Sequence, residues 1–107
     1  MTLKQKKLET LFLHIRTTGF KQSLKEMATG IGVVVLTLVN RYKSRANLEK
    51  EVMGFWRQYI IENFETTAFF SNNAVEKLLF FIYELKVSQK RDTHFFNREK
   101  ENYKKRK

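Results

Sequence analysis

Residues 31–48, IGVVVLTLVNRYKSRANL, decide the fold. Val33 to Leu36 are apolar without a break, and basic residues follow at Arg41, Lys43 and Arg45. Two structures fit so short a run. One is a buried strand, favoured by β-branched valine; the other is a short helix with one face held inside and the other offered to an anion. Periodicity alone does not separate them over so few residues. As a helix from about Val34 to Tyr42, the segment turns Val34, Leu38 and Tyr42 inward at four-residue steps and leaves Thr37, Asn40 and Arg41 off that line.

The flanking sequence favours the helix. In SLKE, Ser23 and Glu26 have the spacing of a capping box, so a short helix opens at Ser23 and runs to about Thr29, burying Leu24, Met27 and Ala28. The glycines of GIG at 30–32 supply a tight turn after it. Earlier, Leu8, Leu11, Phe12 and Ile15 have the three-and-four spacing of one buried face, which predicts a helix from about Leu3 to Thr17, ended by Gly19. A lone strand among these helices has no partner. Pro is absent and Gly numbers four in 107 residues, so helix breakers are scarce throughout. The expectation is an all-α fold: a three-helix, homeodomain-like helix-turn-helix domain over residues 1–47, then a longer linking helix and one apolar helix over 48–87, then a basic tail over 88–107.

A chain of this length has room for one modest core, because at this size roughly two-thirds of the unfolded surface is buried on folding. The formal net charge of +10 points to anionic partners: nucleic acid, acidic protein or anionic lipid. Cys is absent, which excludes disulfides and thiolate chemistry and suits a reducing cytoplasm. No run approaches the length of a membrane span and the N-terminus has no long apolar leader segment, so a cytoplasmic protein without a transmembrane segment is expected.

The stretch TGFKQSLKEMATGIGVVVLTLVNRYKSRANLEKEV resembles the DNA-binding domain of the tetracycline-repressor (TetR) family of bacterial transcription regulators. Gly19 and Phe20 match that family's glycine-aromatic landmark, Ser23 the opening of its second helix, and Met27 and Ala28 its apolar pair. Gly32 and Val33 match its turn, Thr37, Leu38 and Tyr42 its recognition helix, and Ser44, Arg45 and Leu48 the start of its fourth helix. The likeness covers residues 5–53 and is one residue short between Gly19 and Ser23. It implies a repressor-like regulator that binds double-stranded DNA with its third helix in the major groove, as a dimer on paired half-sites.

The departures from that pattern affect specificity. Val34 replaces a capping Ser or Thr, a change that typically costs about 1 kcal/mol. Val35 and Leu36 stand where a polar and a small residue approach the groove, and Val39 replaces a tyrosine that commonly reaches a phosphate. Aliphatic side chains can touch a thymine methyl but cannot read a pattern of donors and acceptors. The candidate DNA-contacting residues are Lys4, Ser23, Val35, Leu36, Thr37, Val39, Asn40, Arg41, Lys43 and Arg45. Ser23 also serves as a plain N-cap, with its helix N-terminus open to a phosphate. A solvated helix face explains Thr37 and Asn40 equally well, and Arg41, Lys43 and Arg45 suit phosphate clamps as well as an ordinary charged surface. Lys6 and Lys7 add to Lys4 on the first helix.

The remaining chain predicts a helix from Asn47 to about Phe64, with Trp56 packed against the first helix, and another from Asn73 to Val87, capped near Ser71 or Asn72. Val75, Leu78, Leu79, Ile82 and Leu85 make an apolar stripe there, widened by Phe80 and Phe81, which suggests a partner surface such as a second copy of the chain. Residues 86–107 hold nine Lys or Arg against three Asp or Glu, the character of a mobile solvated tail, although Phe95 and Phe96 argue for a docked helical part. Only about forty residues follow the linking helix, too few to enclose a small-molecule inducer of the kind such regulators carry. His14 and His94 lack Cys or spaced carboxylate partners, so neither metal nor cofactor is expected. With no phosphate loop and no nucleophile–base pattern, an enzyme is not expected either. Two functions remain besides a lesser membrane-surface role: a DNA-binding regulator, and a basic helical protein-interaction module without sequence-specific DNA binding.

Overall fold

The computed structural model of the chain describes residues 3–69 and 73–106. These form six helices and no strand: α1 Leu3–Thr18, α2 Leu24–Gly30, α3 Val35–Tyr42, α4 Arg45–Phe69, α5 Ala74–Arg91 and α6 Thr93–Arg106. The fold is all-α as expected, and the valine-rich run enters a helix at Val35. None of the described helices is long and apolar enough to cross a membrane. The chain divides into two compact units, Met1–Phe55 and Trp56–Lys107, with α4 contributing to both.

In the first unit, Leu11, Phe12 and Ile15 of α1, Met27 and Ala28 of α2, Leu38 and Tyr42 of α3, and Leu48, Val52 and Met53 of α4 form the core, joined by Phe20 from the α1–α2 connection. Phe12 and Phe55 add a tilted ring pair with centroids 5.2 Å apart. Three local devices fix the path of the chain. Gly19 leaves α1 at φ 87° while its N–H donates to the Ile15 carbonyl at 2.7 Å. Ser23 Oγ accepts the Glu26 N–H at 3.1 Å and donates to the Glu26 carboxylate at 3.3 Å. After α2, Gly32 at φ 77° lets its own N–H reach the Thr29 carbonyl at 3.2 Å and the Val33 N–H reach the Ala28 carbonyl at 2.9 Å. That pair of bonds is a Schellman motif, which closes a helix on a left-handed residue.

The fourth helix is longer than the sequence suggested at both ends. It opens at Arg45 because Ser44 caps it, accepting the Asn47 N–H on Oγ at 3.2 Å and the Leu48 N–H on its carbonyl at 3.1 Å. It continues to Phe69 because nothing between Phe64 and Phe69 breaks a helix.

In the second unit, α4 and α5 run antiparallel, with Phe64 stacked on Phe81 at 4.5 Å and Arg91 lying 5.1 Å from the Tyr59 ring. Asn73 caps α5, accepting the Val75 and Glu76 N–H groups at 2.8 and 3.3 Å; Ser71 and Asn72, the expected cap positions, lie outside the described residues. Residues 88–91 complete α5, and most of the expected basic tail is the helix α6. The cause is aromatic: Phe95 is fully buried and stacks on Trp56 at 5.7 Å, while Phe96 meets Trp56 edge-on at 4.9 Å. The ring partners of Trp56 therefore come from α6, where the sequence suggested α1. Arg57 and Glu99 pair at 2.8 Å across the same two helices.

Candidate nucleic-acid interface

An eight-residue helix is too short to persist alone in water, so α3 owes its orientation to packing. Leu38 and Tyr42, four residues apart, are 3% and 4% exposed and seat it on α2 and the core. Helical geometry then turns Leu36 and Asn40 outward, with Thr37 beside them and Val35 and Val39 along one edge. Leu36 is 61% exposed, and Val35 and Val39 are each 41% exposed. Val34, expected on the inward line with Leu38 and Tyr42, is instead exposed: it precedes α3 with extended backbone, outside the helical register, and makes no side-chain cap bond.

On the other edge of α3, an open concavity of about 460 Å³ is lined by Lys7 of α1, Thr37, Asn40 and Arg41 of α3, and Glu51 of α4. The Arg41 guanidinium lies 5.5 Å from the Tyr42 ring centroid. Its Nε and Nη2 are both buried and have no hydrogen-bond partner among the described residues. These two N–H groups form the side of a guanidinium that grips a carboxylate or phosphate in bidentate fashion, and because both are buried here the side chain must swing outward to present them. Lys43 follows α3 at φ 70°, its side chain exposed and its N–H donating to the Val39 carbonyl at 2.9 Å.

The other expected contact residues are placed differently. Arg45 is engaged within the protein: its Nη2 donates to the Phe20 carbonyl, and its Nε lies 3.4 Å from the Glu49 carboxylate. Ser23 is an exposed N-cap, bonded to Glu26 as above. The side chain of Lys4 lies outside the described residues, although its backbone belongs to α1. His14 Nε2 is 2.7 Å from Gln22 Oε1, and its ring lies against Gly30, so it packs α1 on the end of α2. Thr37, Asn40, Arg41 and Lys7 are thus brought together, with Lys43 just beyond. Glu51 is the member that sequence reasoning missed. Its position on the wall depends on how α4 crosses α3, and no local pattern carries that.

Among the described residues, a buried polar cluster lies in the second unit. Asp92 and Ser88 are fully buried. Trp56 Nε1 donates to Asp92 Oδ2 at 3.2 Å, and Arg91 pairs with the same oxygen at 3.1 Å and reaches Ser88 Oγ at 3.3 Å. Burial lowers the Arg91 pKa, but the hydrogen bond and charge of Asp92 outweigh it and hold the guanidinium above its ordinary value. Arg91 therefore stays cationic, and every group here faces an internal partner. The cluster locks the α5–α6 corner. Its bonds are those of a structural joint. No protein-family model, no curated protein and no solved structure matches the chain.

Proposed function

We propose that the chain binds double-stranded DNA as a transcription regulator of the tetracycline-repressor type, with α2, the connecting turn and α3 acting as a helix-turn-helix. The observation that carries this reading is the outer side of α3. Leu36, Thr37 and Asn40 face outward there beside Lys7 and Arg41. Arg41 Nε and Nη2, buried in the free protein, have no hydrogen-bond partner among the described residues, so swinging the guanidinium out to a phosphate breaks no hydrogen bond of that edge. In the major groove, the early residues of such a helix meet base edges while flanking cations hold phosphates. Lys7, Arg41 and Lys43 supply that grip; Arg45 braces the domain.

A dimer completes the reading. Val75, Leu78, Leu79 and Ile82 recur at helical spacing along α5 and are 41–65% exposed, an apolar stripe that a second copy would cover. Two copies would address two half-sites and multiply the modest affinity of one short helix. The aliphatic character of α3 also favours a second reading, a basic module that docks protein through α3 and α5.

Selection of bound sequences from a random duplex pool, beside analytical ultracentrifugation, separates the two. The DNA reading expects a two-fold-repeated motif and a dimer. Failure to retain any duplex, with the chain folded, would leave the protein-docking reading in its place.

A further inference from the structure

The aliphatic edge of α3 is unusual for a surface helix. Val34, Val35, Leu36 and Val39 are 67%, 41%, 61% and 41% exposed, and they occupy the N-terminal turns that a reading helix inserts deepest. Between Val35 and Asn40 the only polar side chains are Thr37 and Asn40. Guanine is read chiefly by Arg or Lys forks at O6 and N7, and cytosine by carboxylates at N4. Neither group occurs on this face before Arg41, which sits on the opposite edge beside Lys7 and Glu51. Adenine is read by the bidentate amide of Asn, and thymine by apolar contact with its C5-methyl group. Both of those chemistries are present. Lys7, Arg41, Lys43 and a net charge of +10 complement a polyanion better than an apolar protein groove.

Resting on the assignment of α3 as the duplex reader, we infer that Val34, Val35, Leu36 and Val39 read thymine methyl groups and Asn40 reads adenine. The preferred half-site is then rich in A·T pairs and is recognised largely by its methyl surface.

The test uses the full chain and duplexes selected from a random pool, each prepared once with thymine and once with deoxyuridine, which lacks only the C5 methyl. The selected sequences should be A·T-rich at the core of each half-site. Removing one buried methyl should weaken binding about 4-fold, the equivalent of about 0.8 kcal/mol. Leu36→Ala, at a side chain with little packing to lose, should abolish that difference at the base pair Leu36 touches while leaving the salt dependence unchanged. Equal affinity for the thymine and deoxyuridine duplexes, or a G·C-rich selected motif, would overturn methyl reading and leave duplex binding standing. Absence of duplex binding would overturn both.

Discussion

Replacing Arg41 by Met should make the protein more stable and a poorer DNA binder at once. The free protein buries Nε and Nη2 of Arg41 without partners, and an unsatisfied buried donor costs about 1–3 kcal/mol. Met fills similar space without polar atoms. The loss on the other side is the guanidinium–ring contact with Tyr42 at 5.5 Å, worth about 0.5–1 kcal/mol at a partly exposed site. At mid-range the balance favours Met by about 1 kcal/mol, which for a domain of this size raises Tm by about 4–8 °C. On DNA the sign reverses, because the guanidinium swings out of its buried position onto a phosphate. A bidentate charged contact contributes about 1.5–3 kcal/mol, so affinity should fall about 10- to 150-fold. The slope of log affinity against log salt should become shallower by about 0.9. Thermal melting and duplex titration across salt measure both halves. A lower Tm for Arg41→Met would mean that the guanidinium is satisfied in the folded protein. An unchanged affinity would mean that it does not touch the duplex.

Two glycines should respond oppositely to alanine. At Gly54, inside α4, an added Cβ meets nothing within 4 Å, so Gly54→Ala should stabilise by about 0.5–1 kcal/mol through helix propensity. At Gly30 the same methyl would collide with the His14 imidazole, which Gln22 holds at 2.7 Å; overpacking there should cost about 1–3 kcal/mol. Urea titrations of both variants check the pair, and equal effects would refute the contact. Asp92→Ala removes the acceptor shared by Trp56 and Arg91 and should cost about 3 kcal/mol, the lower end for a broken buried ion pair because Arg91 is partly exposed. Asp92→Asn should cost less, since its amide oxygen still accepts from Trp56. The single tryptophan reports both transitions by fluorescence, and identical losses for Ala and Asn would rule out the hydrogen bond as the cause.

The first half of the chain was legible because its signals are local. Ser23 with Glu26, Gly19, and the Gly32 turn each state a backbone conformation through one side chain, and all three occur where their spacing predicts. Of the inward line expected for α3, Leu38 and Tyr42 are buried, but Val34 is exposed because the helix begins one residue after it. The second half was less legible because its order comes from contacts distant in sequence. The charge of residues 86–107 suggests a solvated tail, yet Phe95 pairs with Trp56, thirty-nine positions earlier, and that stacking makes α6 part of a packed unit. The internal engagement of Arg45 was equally hidden, since its partner is a backbone carbonyl twenty-five residues away. Charge type alone could not tell this braced guanidinium from the unpartnered one at Arg41.

Salt titration of duplex binding tests the central claim most directly. Random-sequence duplex should bind the intact chain with a log–log salt slope near about −3 per chain, from phosphate contacts by Lys7, Arg41 and Lys43. Binding that is absent, or insensitive to salt, would contradict the account.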